Sequence, residues 1–443
     1  MKHYSTLLRG SLLIMGAAAC LQSQAAWEKV FAHPTTQAHF ITSQGNFLLS
    51  DFDDNRDGGI FISEDKGATW TKTDVKDFNY HKFYEADGYV YALGYSARIA
   101  RSSDGGHTWD VLNYTNALKD VVNGKDIEAL VAYGIVKVDD RLYISDFAGG
   151  GVLYSTDNGE SWQLTDRQSL LINLQDQGEM MDAFYNLVDF NGHIYAFGAL
   201  SVHRYDAGSD SWELLDLNSN FMSVSTIFDG RLVCGRSVTD MNPETDYLVW
   251  TADGYEWHGI NAPEPLNEFG ISRNVRAIHS DDTYIYTTGP DGVAENPDPS
   301  GVPYVNAPEF FFTSDLGETW SNSAGLPVLT YPLTVTSDDD YIYVALYSPF
   351  PTNADSGLWR ISKDELTSGV DSVKADGNMS VAFSGGEMVL PEIALQVSIY
   401  TLDGRLVESA DHVARVDLGS LGRGVFIYEV VFSHGKVAGK FIR

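Results

Sequence analysis

The chain has 443 residues, 44% apolar and 12% aromatic, with a formal net charge of −32 at pH 7. That length allows one large domain and a small one, each with an adequate core. The charge argues against nucleic acid or an anionic membrane as partner and leaves neutral or cationic partners and divalent cations open, while two cysteines are too few for a disulfide framework.

Residues 1–25 read as an export signal. Lys2, His3 and Arg9 form a basic start, Leu12 to Ala19 an apolar stretch, and Ser23-Gln24-Ala25 a cleavage site. The alternative is lipid attachment at Cys20, which follows Ala17-Ala18-Ala19. Removal of Lys2 and Arg9 takes the charge to about −34. It also leaves Cys234 as the remaining thiol, expected as a small buried hydrophobe. No other run reaches the roughly 18 apolar residues of a membrane span.

The mature chain opens with Trp27-Glu28-Lys29-Val30, which matches the strand that elsewhere follows a turn motif but has no such motif before it. Next comes an acidic loop, Asp51-Phe52-Asp53-Asp54-Asn55-Arg56-Asp57-Gly58. Its alternating carboxylates and Gly turn make Asp53, Asn55 and Asp57 candidate calcium ligands. Glu64, at the twelfth position of that pattern, is expected about 15–20 Å away along an extended strand. No cofactor is otherwise required.

The turn motif then appears as Ser63-Glu64-Asp65-Lys66-Gly67-Ala68-Thr69-Trp70 and as Ser102-Ser103-Asp104-Gly105-Gly106-His107-Thr108-Trp109. It returns as Ser155-Thr156-Asp157-Asn158-Gly159-Glu160-Ser161-Trp162 and as Thr313-Ser314-Asp315-Leu316-Gly317-Glu318-Thr319-Trp320. Worn copies start at Tyr205 and Thr251, and Gly357 to Ser362 keeps the strand but drops the turn. The Asp can accept backbone N–H groups inside the turn, the Gly supplies positive φ, and the Trp anchors the turn on its sheet. In step with it runs a polar turn followed by an alternating strand, from Gly45-Asn46-Phe47 through Asp87-Gly88-Tyr89 to Asp340-Tyr341-Ile342. Both series count to seven. A period of this kind marks one supersecondary unit copied around an array.

The motif resembles the Asp box of sialidase-like β-propellers (the BNR repeat). The resemblance implies an all-β, seven-bladed propeller over 26–368, with the first strand closing the last blade. It also implies that the boxes lie on the rim away from the functional face. That face would be formed by loops joining second to third strands and by loops between blades. They include an insertion from Leu164 to Asn186, expected to hold a helical stretch, and the segments 289–309 and 346–356. Tyr95, Arg98, Asp146, Arg236 and Tyr347 are the ligand-face candidates, and Tyr304 and Phe350 are further aromatic candidates. A sialidase also needs an arginine triad and an Arg-Ile-Pro signature; the signature is absent, and Arg98, Arg236, Arg273 and Arg276 do not match a triad by spacing. A glycoside hydrolase would draw its two carboxylates from Asp51, Asp146, Asp240, Glu244 or Glu268.

After Thr367 the pattern changes to short alternating strands without Asp boxes. Val397-Ser398-Ile399-Tyr400-Thr401-Leu402-Asp403-Gly404-Arg405-Leu406-Val407 reads as a hairpin, Val416 to Val430 follows, and Gly435 to Arg443 is a basic last strand. This order resembles the C-terminal sorting domain of the type IX secretion system of Bacteroidetes. It implies a small Ig-like β-sandwich over 369–443, read by the export machinery, and delivery to the outer cell surface or medium. Arg423 departs from the small residue or Pro-Ala more usual in that family. The sequence reading is therefore a monomeric exported propeller that binds glycan or protein without catalysis. The alternative is a polysaccharide-cleaving hydrolase or, less favoured, an exo-sialidase.

Overall fold

The computed structural model describes residues 27–367 and 382–442, apart from 52–57, 77–78, 123–129, 149, 175–177, 217–221, 239–245, 247, 261–272, 289–309, 324, 328–329, 349–354, 385–386, 402–404, 422–424 and 433–434. Over these residues the chain is almost wholly β. Seven four-stranded antiparallel sheets follow one another. The first, blade 1, pairs Thr36–Ile41, Phe47–Asp51, Gly59–Ser63 and Thr71–Lys76 in chain order. Blades 2 to 7 begin with inner strands Tyr80–Ala86, Ala132–Val138, Phe184–Phe190, Val224–Phe228, Ile278–Ser280 and Tyr331–Ser337. Each inner strand lies beside those of the adjacent blades, and that of blade 7 returns to blade 1, so the sheets form a closed propeller.

Closure is made by the first strand of the described chain. Glu28–Ala32 pairs antiparallel with Gly357–Ser362 as the outermost strand of blade 7. Arg360 Nε donates to Glu28 over 3.0 Å, and Lys29 Nζ sits 4.9 Å from the Trp359 ring centroid. Ring closure of this kind leaves no long unpaired inner edge.

The Asp boxes form the turns between third and fourth strands, and the hydrogen bonds explain their composition. In blade 1, Ser63 Oγ donates to Asp65 Oδ1 (2.8 Å) and accepts Gly67 N–H (2.8 Å). Asp65 accepts the Thr69 N–H (2.7 Å) and hydroxyl (2.6 Å), and Trp70 Nε1 donates back to Gly67 O (2.9 Å). Hydrogen bonds from Thr69 and Ser63 hold the Asp65 carboxyl down at about 2. The same hydroxyl-to-aspartate bond recurs from Ser102 to Asp104, Ser155 to Asp157 and Thr313 to Asp315. Gly67 has φ +89, and a Cβ there would meet Val30 Cγ1 at 2.4 Å. The glycine thus also lets each turn seat on the preceding blade, as Gly106 does on Leu48 and Gly317 on Ile260. The worn copy at Thr251 keeps a shortened cap, with Gly254 N–H on Thr251 Oγ1 at 2.8 Å. In the copy at Tyr205, Trp212 turns its N–H to Thr165 Oγ1 instead (3.0 Å).

At the same end of the ring, Asp281 and Asp338 cap the hairpins between first and second strands and accept the hydroxyls of buried Tyr286 (2.7 Å) and Tyr343 (2.9 Å). Cys234 is fully buried in the second strand of blade 5, and burial pushes its thiol pKa up. An eight-residue helix, Thr115–Val122, links blades 2 and 3. The insertion after Leu164 differs from expectation. It holds one short 3-10 turn, Gln168–Leu170, and then a hairpin of Leu171–Leu174 and Gly178–Met181. Ile172, fully buried, anchors it as a strand. No helix among the described residues is long and apolar enough to cross a membrane.

The C-terminal strands form a separate sheet around their own core of Met388, Leu390, Val397, Ile399, Val416, Phe426 and Val430. The 15-residue strand Glu387–Thr401 pairs with three partners and joins all five strands into one continuous sheet. Its pairing with Leu406–Asp417 breaks between Val389 and Ala394, around Pro391, which has no N–H to give the ladder.

Candidate functional site

Antiparallel pairing puts the Asp boxes at one end of the ring. The start of every inner strand and the loops from second to third strands lie at the other. At that end five inner strands carry a bulge. The register skips Gln37 in blade 1, His81 in blade 2, Tyr133 in blade 3, Tyr185 in blade 4 and Leu333 in blade 7. A bulge inserts one residue and re-aims its side chain. The bulges of blades 1 and 3 are supported from the second strand: Ser50 Oγ accepts Ala38 N–H (3.1 Å) and Ser145 Oγ accepts Gly134 N–H (2.9 Å).

In three successive blades the bulged residue is aromatic, and the rings meet. His81 lies 4.8 Å from Tyr133, and Tyr133 lies 5.6 Å from Tyr185, centroid to centroid. Tyr95 packs edge-on to His81 at 5.3 Å, and its hydroxyl is hydrogen-bonded to that of Tyr133. Phe147, from the blade 3 loop, stands 5.5 Å from Tyr133 and 5.3 Å from Tyr185 and is 37% exposed. The His81 Nε2–H donates to Ala132 O (2.8 Å), and burial lowers its pKa to about 4, so it is neutral at pH 7. Beside the rings opens a pocket of about 600 Å³ lined by Phe147, Arg167, Met180, Met181, Asp182 and Leu200, among others.

One step deeper, the ring is polar. Lys82 Nζ donates to Asn186 Oδ1 of blade 4 (3.2 Å), and Asn186 Nδ2 donates to Ser225 Oγ of blade 5 (2.8 Å). The link passes blade 3 at Gly134, which carries no side chain. Further along the inner strands, toward the Asp-box end, Thr226 and Ser280 (2.6 Å), His279 and Ser337 (2.8 Å), and His39 and Thr336 (2.6 Å) also pair between blades. Burial lowers His39 to about 3 and His279 to about 4. Burial also lowers Lys82 to about 8.

Three described carboxylates on this face, Asp51, Asp146 and Asp182, are occupied as loop braces. Asp146, expected among the ligand-face residues, is fully buried. It accepts the Tyr114 hydroxyl (2.9 Å) and the N–H groups of Ala148 (3.0 Å) and Gly150 (3.1 Å). Its pKa is raised by burial against these bonds. Asp51 accepts the Gly59 N–H and faces His33 at 3.4 Å. Asp182 accepts four hydrogen bonds, from Ala183, Leu200 and both donors of Ser201. The other proposed acid/base residues, Asp240, Glu244 and Glu268, lie outside the described residues, as do Tyr304 and Phe350.

Of the five ligand-face candidates, the structure brings only Tyr95 into the aromatic group. Arg98 follows in the same loop, its N–H on Tyr95 O (3.4 Å). Arg236 belongs to blade 5, where Asp246 attracts its guanidinium against burial, and Tyr347 to blade 7, paired with Tyr331. Arg276 lies over Tyr331 at 5.1 Å. Arg236 and Arg276 thus serve separate partners. Asp53, Asn55 and Asp57 lie outside the described residues. Among the described residues no group of three or more His, Cys, Asp or Glu is placed to hold a metal. Glu64 is turned to His107 of the next box (3.2 Å). Sequence reasoning missed His81, Tyr133, Phe147, Tyr185 and Lys82. The available signal was the doublet Tyr80-His81, and Phe184-Tyr185 after it, where an alternating strand would place one polar residue.

Comparison with known proteins adds a repeat family and distant relatives. The BNR/Asp-box repeat matches residues 153–164. A probable oligoxyloglucan-reducing end-specific xyloglucanase of Neosartorya fischeri is 25% identical over 259 residues. That alignment spans half of this chain and 30% of the relative, so the chain covers less than a third of that protein's length. The GH74 xyloglucanase of Xanthomonas campestris superposes at TM-score 0.48 with 13% identity, over 83% of this chain and 60% of that one. PorZ, a surface component of the type IX secretion system of Porphyromonas gingivalis, superposes at TM-score 0.40 with 11% identity, over 89% and 64%.

Proposed function

We propose that the chain is an exported β-propeller that binds glycan, without cleaving it, on the face opposite the Asp boxes. The observation that carries this reading is the wall of His81, Tyr95, Tyr133, Phe147 and Tyr185, raised by bulges in three consecutive blades. Half-exposed aromatic rings give flat, amphipathic contact area of the kind a sugar ring stacks on. The xyloglucanase relative supports a glycan as ligand class. The bracing of the described carboxylates Asp51 and Asp146 favours binding over hydrolysis, because a glycosidase needs two carboxyl groups about 5–10 Å apart and free to exchange protons.

The same proposal takes residues 1–25 as the export signal and 369–443 as the module read by the type IX machinery. The mature chain is a monomer in the medium or on the outer surface, with calcium as the candidate ion of the 53–57 loop. The test is retention of the mature chain on immobilised neutral plant and host polysaccharides, with mass spectrometry of the supernatant. Retention without released sugars, lost in Tyr185→Ala, is the expected result. Released reducing ends would establish the hydrolase alternative, and absence of retention on every glycan would leave a protein ligand instead.

A further inference from the structure

Lys82 is the part of this face that the stacking role leaves unused. Its ammonium reaches the central channel and has three donors to satisfy. Among the described residues it makes one hydrogen bond, to the neutral Asn186, and no ion pair with any carboxylate. Other basic side chains of the propeller are paired differently: Lys66 with Asp340, Arg101 with Glu160, Lys363 with Asp281, Arg360 with Glu28. In a chain of net charge −32 carboxylates are abundant, yet among the described residues none is set against this cation. Lys82 is half-buried. A cation held there without a counterion is attractive to an anion that can enter, because field lines are focused in a low-dielectric cleft.

Resting on the glycan reading, we infer that the sugar taken on this face is acidic, and that its carboxylate enters the channel to pair with Lys82. The bulges supply the geometry. His81 and Lys82 are consecutive, as are Tyr185 and Asn186. The aromatic wall and the ammonium with its Asn186 partner are therefore one strand residue apart, about 3–4 Å along the channel. A pyranose stacked on the wall would carry the carboxyl on its C5 over that distance. Gly134 occupies the position in blade 3 that Lys82 and Asn186 occupy in blades 2 and 4, and as a glycine it puts no side chain between them. There a Cβ would already meet Leu187 N at 2.6 Å. Ser225, which accepts from Asn186 Nδ2, keeps its own hydroxyl hydrogen, and Asn186 keeps a second amide hydrogen, as donors for an oxyanion that takes the ammonium from Asn186 Oδ1. Depression of the Lys82 pKa by burial accords with a cation lacking its partner.

The probes are tetragalacturonic acid and its full methyl ester, titrated calorimetrically into the mature chain and into Lys82→Met. Methionine keeps the apolar stem and removes the charge. The wild type should bind the acid at least tenfold more tightly than the ester, and Lys82→Met should bind both alike. Lys82→Arg should keep part of the preference, which a merely structural lysine would not. Equal binding of acid and ester, with neutral oligosaccharides still retained, overturns the carboxylate pairing and leaves the glycan reading standing. Binding of no sugar, acidic or neutral, overturns both. A preference for a peptide acid over its amide that depends on Lys82, without sugar binding, would assign the site to a peptide terminus and overturn the acidic sugar.

Discussion

Lys82→Met should stabilise the free protein at neutral pH, and the size of the effect follows from the channel. In the folded chain burial lowers the lysine from 10.5 to about 8. A group whose charged form is penalised in this way binds its proton less readily folded than unfolded. Below pH 8 the whole penalty is present. Between pH 8 and 10.5 the unfolded chain still holds the proton and the folded chain does not, so stability rises with pH and the penalty disappears. At about 1.4 kcal/mol per tenfold change in proton affinity, the penalty is of the order of 3 kcal/mol. Removal of the lysine also removes its hydrogen bond to Asn186, which costs about 1 kcal/mol. Lys82→Met should therefore be about 2 kcal/mol more stable than wild type at pH 7, and no more stable, or slightly less, at pH 10.5. Urea unfolding of both proteins at pH 7, 9 and 10.5 measures this. Tyrosine and thiol ionisations are common to both proteins and cancel in the difference. A variant less stable than wild type at pH 7, or a difference that does not change with pH, would refute the account of an ammonium without a counterion.

Three further perturbations test the scaffold. Gly67→Ala puts a Cβ at positive φ and against Val30 Cγ1, and should cost about 2–3 kcal/mol in urea unfolding; a loss below about 0.5 kcal/mol would show that the turn does not seat on the closing strand. Deletion of Glu28–Ala32 opens the outer edge of blade 7. It should lower the thermal midpoint by more than 10 °C, on the order of several kcal/mol, and raise concentration-dependent association in light scattering, whereas an unchanged midpoint would mean that closure contributes nothing. Calorimetry with calcium should show one site in the wild type that is lost in Asp57→Ala, and heat that is absent from both proteins removes the ion from the 53–57 loop.

The scaffold was legible because its signals are local. Each Asp box is a closed set of hydrogen bonds within eight residues, so Ser63, Asp65, Gly67 and Trp70 announce the turn wherever they recur. The closing strand was legible for a related reason: Trp27-Glu28-Lys29-Val30 has the composition of an outer strand with no turn to produce it. The insertion after Leu164 was misjudged because the apolar pair Leu170 and Leu171 fits a helix or a strand equally at that length. Which one forms is decided by the burial of Ile172 against the propeller, a contact distant in sequence.

The candidate site was less legible because it is made where the repeat is broken. Period-two alternation assigns each strand residue to one face, and a bulge shifts that assignment by one. Read without the bulge, His81, Tyr133 and Tyr185 fall out of phase with the residues that follow them. Their meeting also depends on three different blades, so no spacing within one unit encodes it. Asp146 shows the converse error: a carboxylate at the end of a second strand has the address of a ligand group. It is instead consumed by Tyr114, Ala148 and Gly150, which hold the loop that presents Phe147. The acids of this face thus serve to position its aromatic side chains. That division of labour explains how, among the described residues, a channel cation is kept apart from carboxylates: Asp51, Asp146 and Asp182 are each tied to backbone at the loops, and the layer around Lys82 is built from Asn186, Ser225 and Gly134. Among the described residues, an acidic ligand would meet at Lys82 a layer of the channel without the protein's own negative charge.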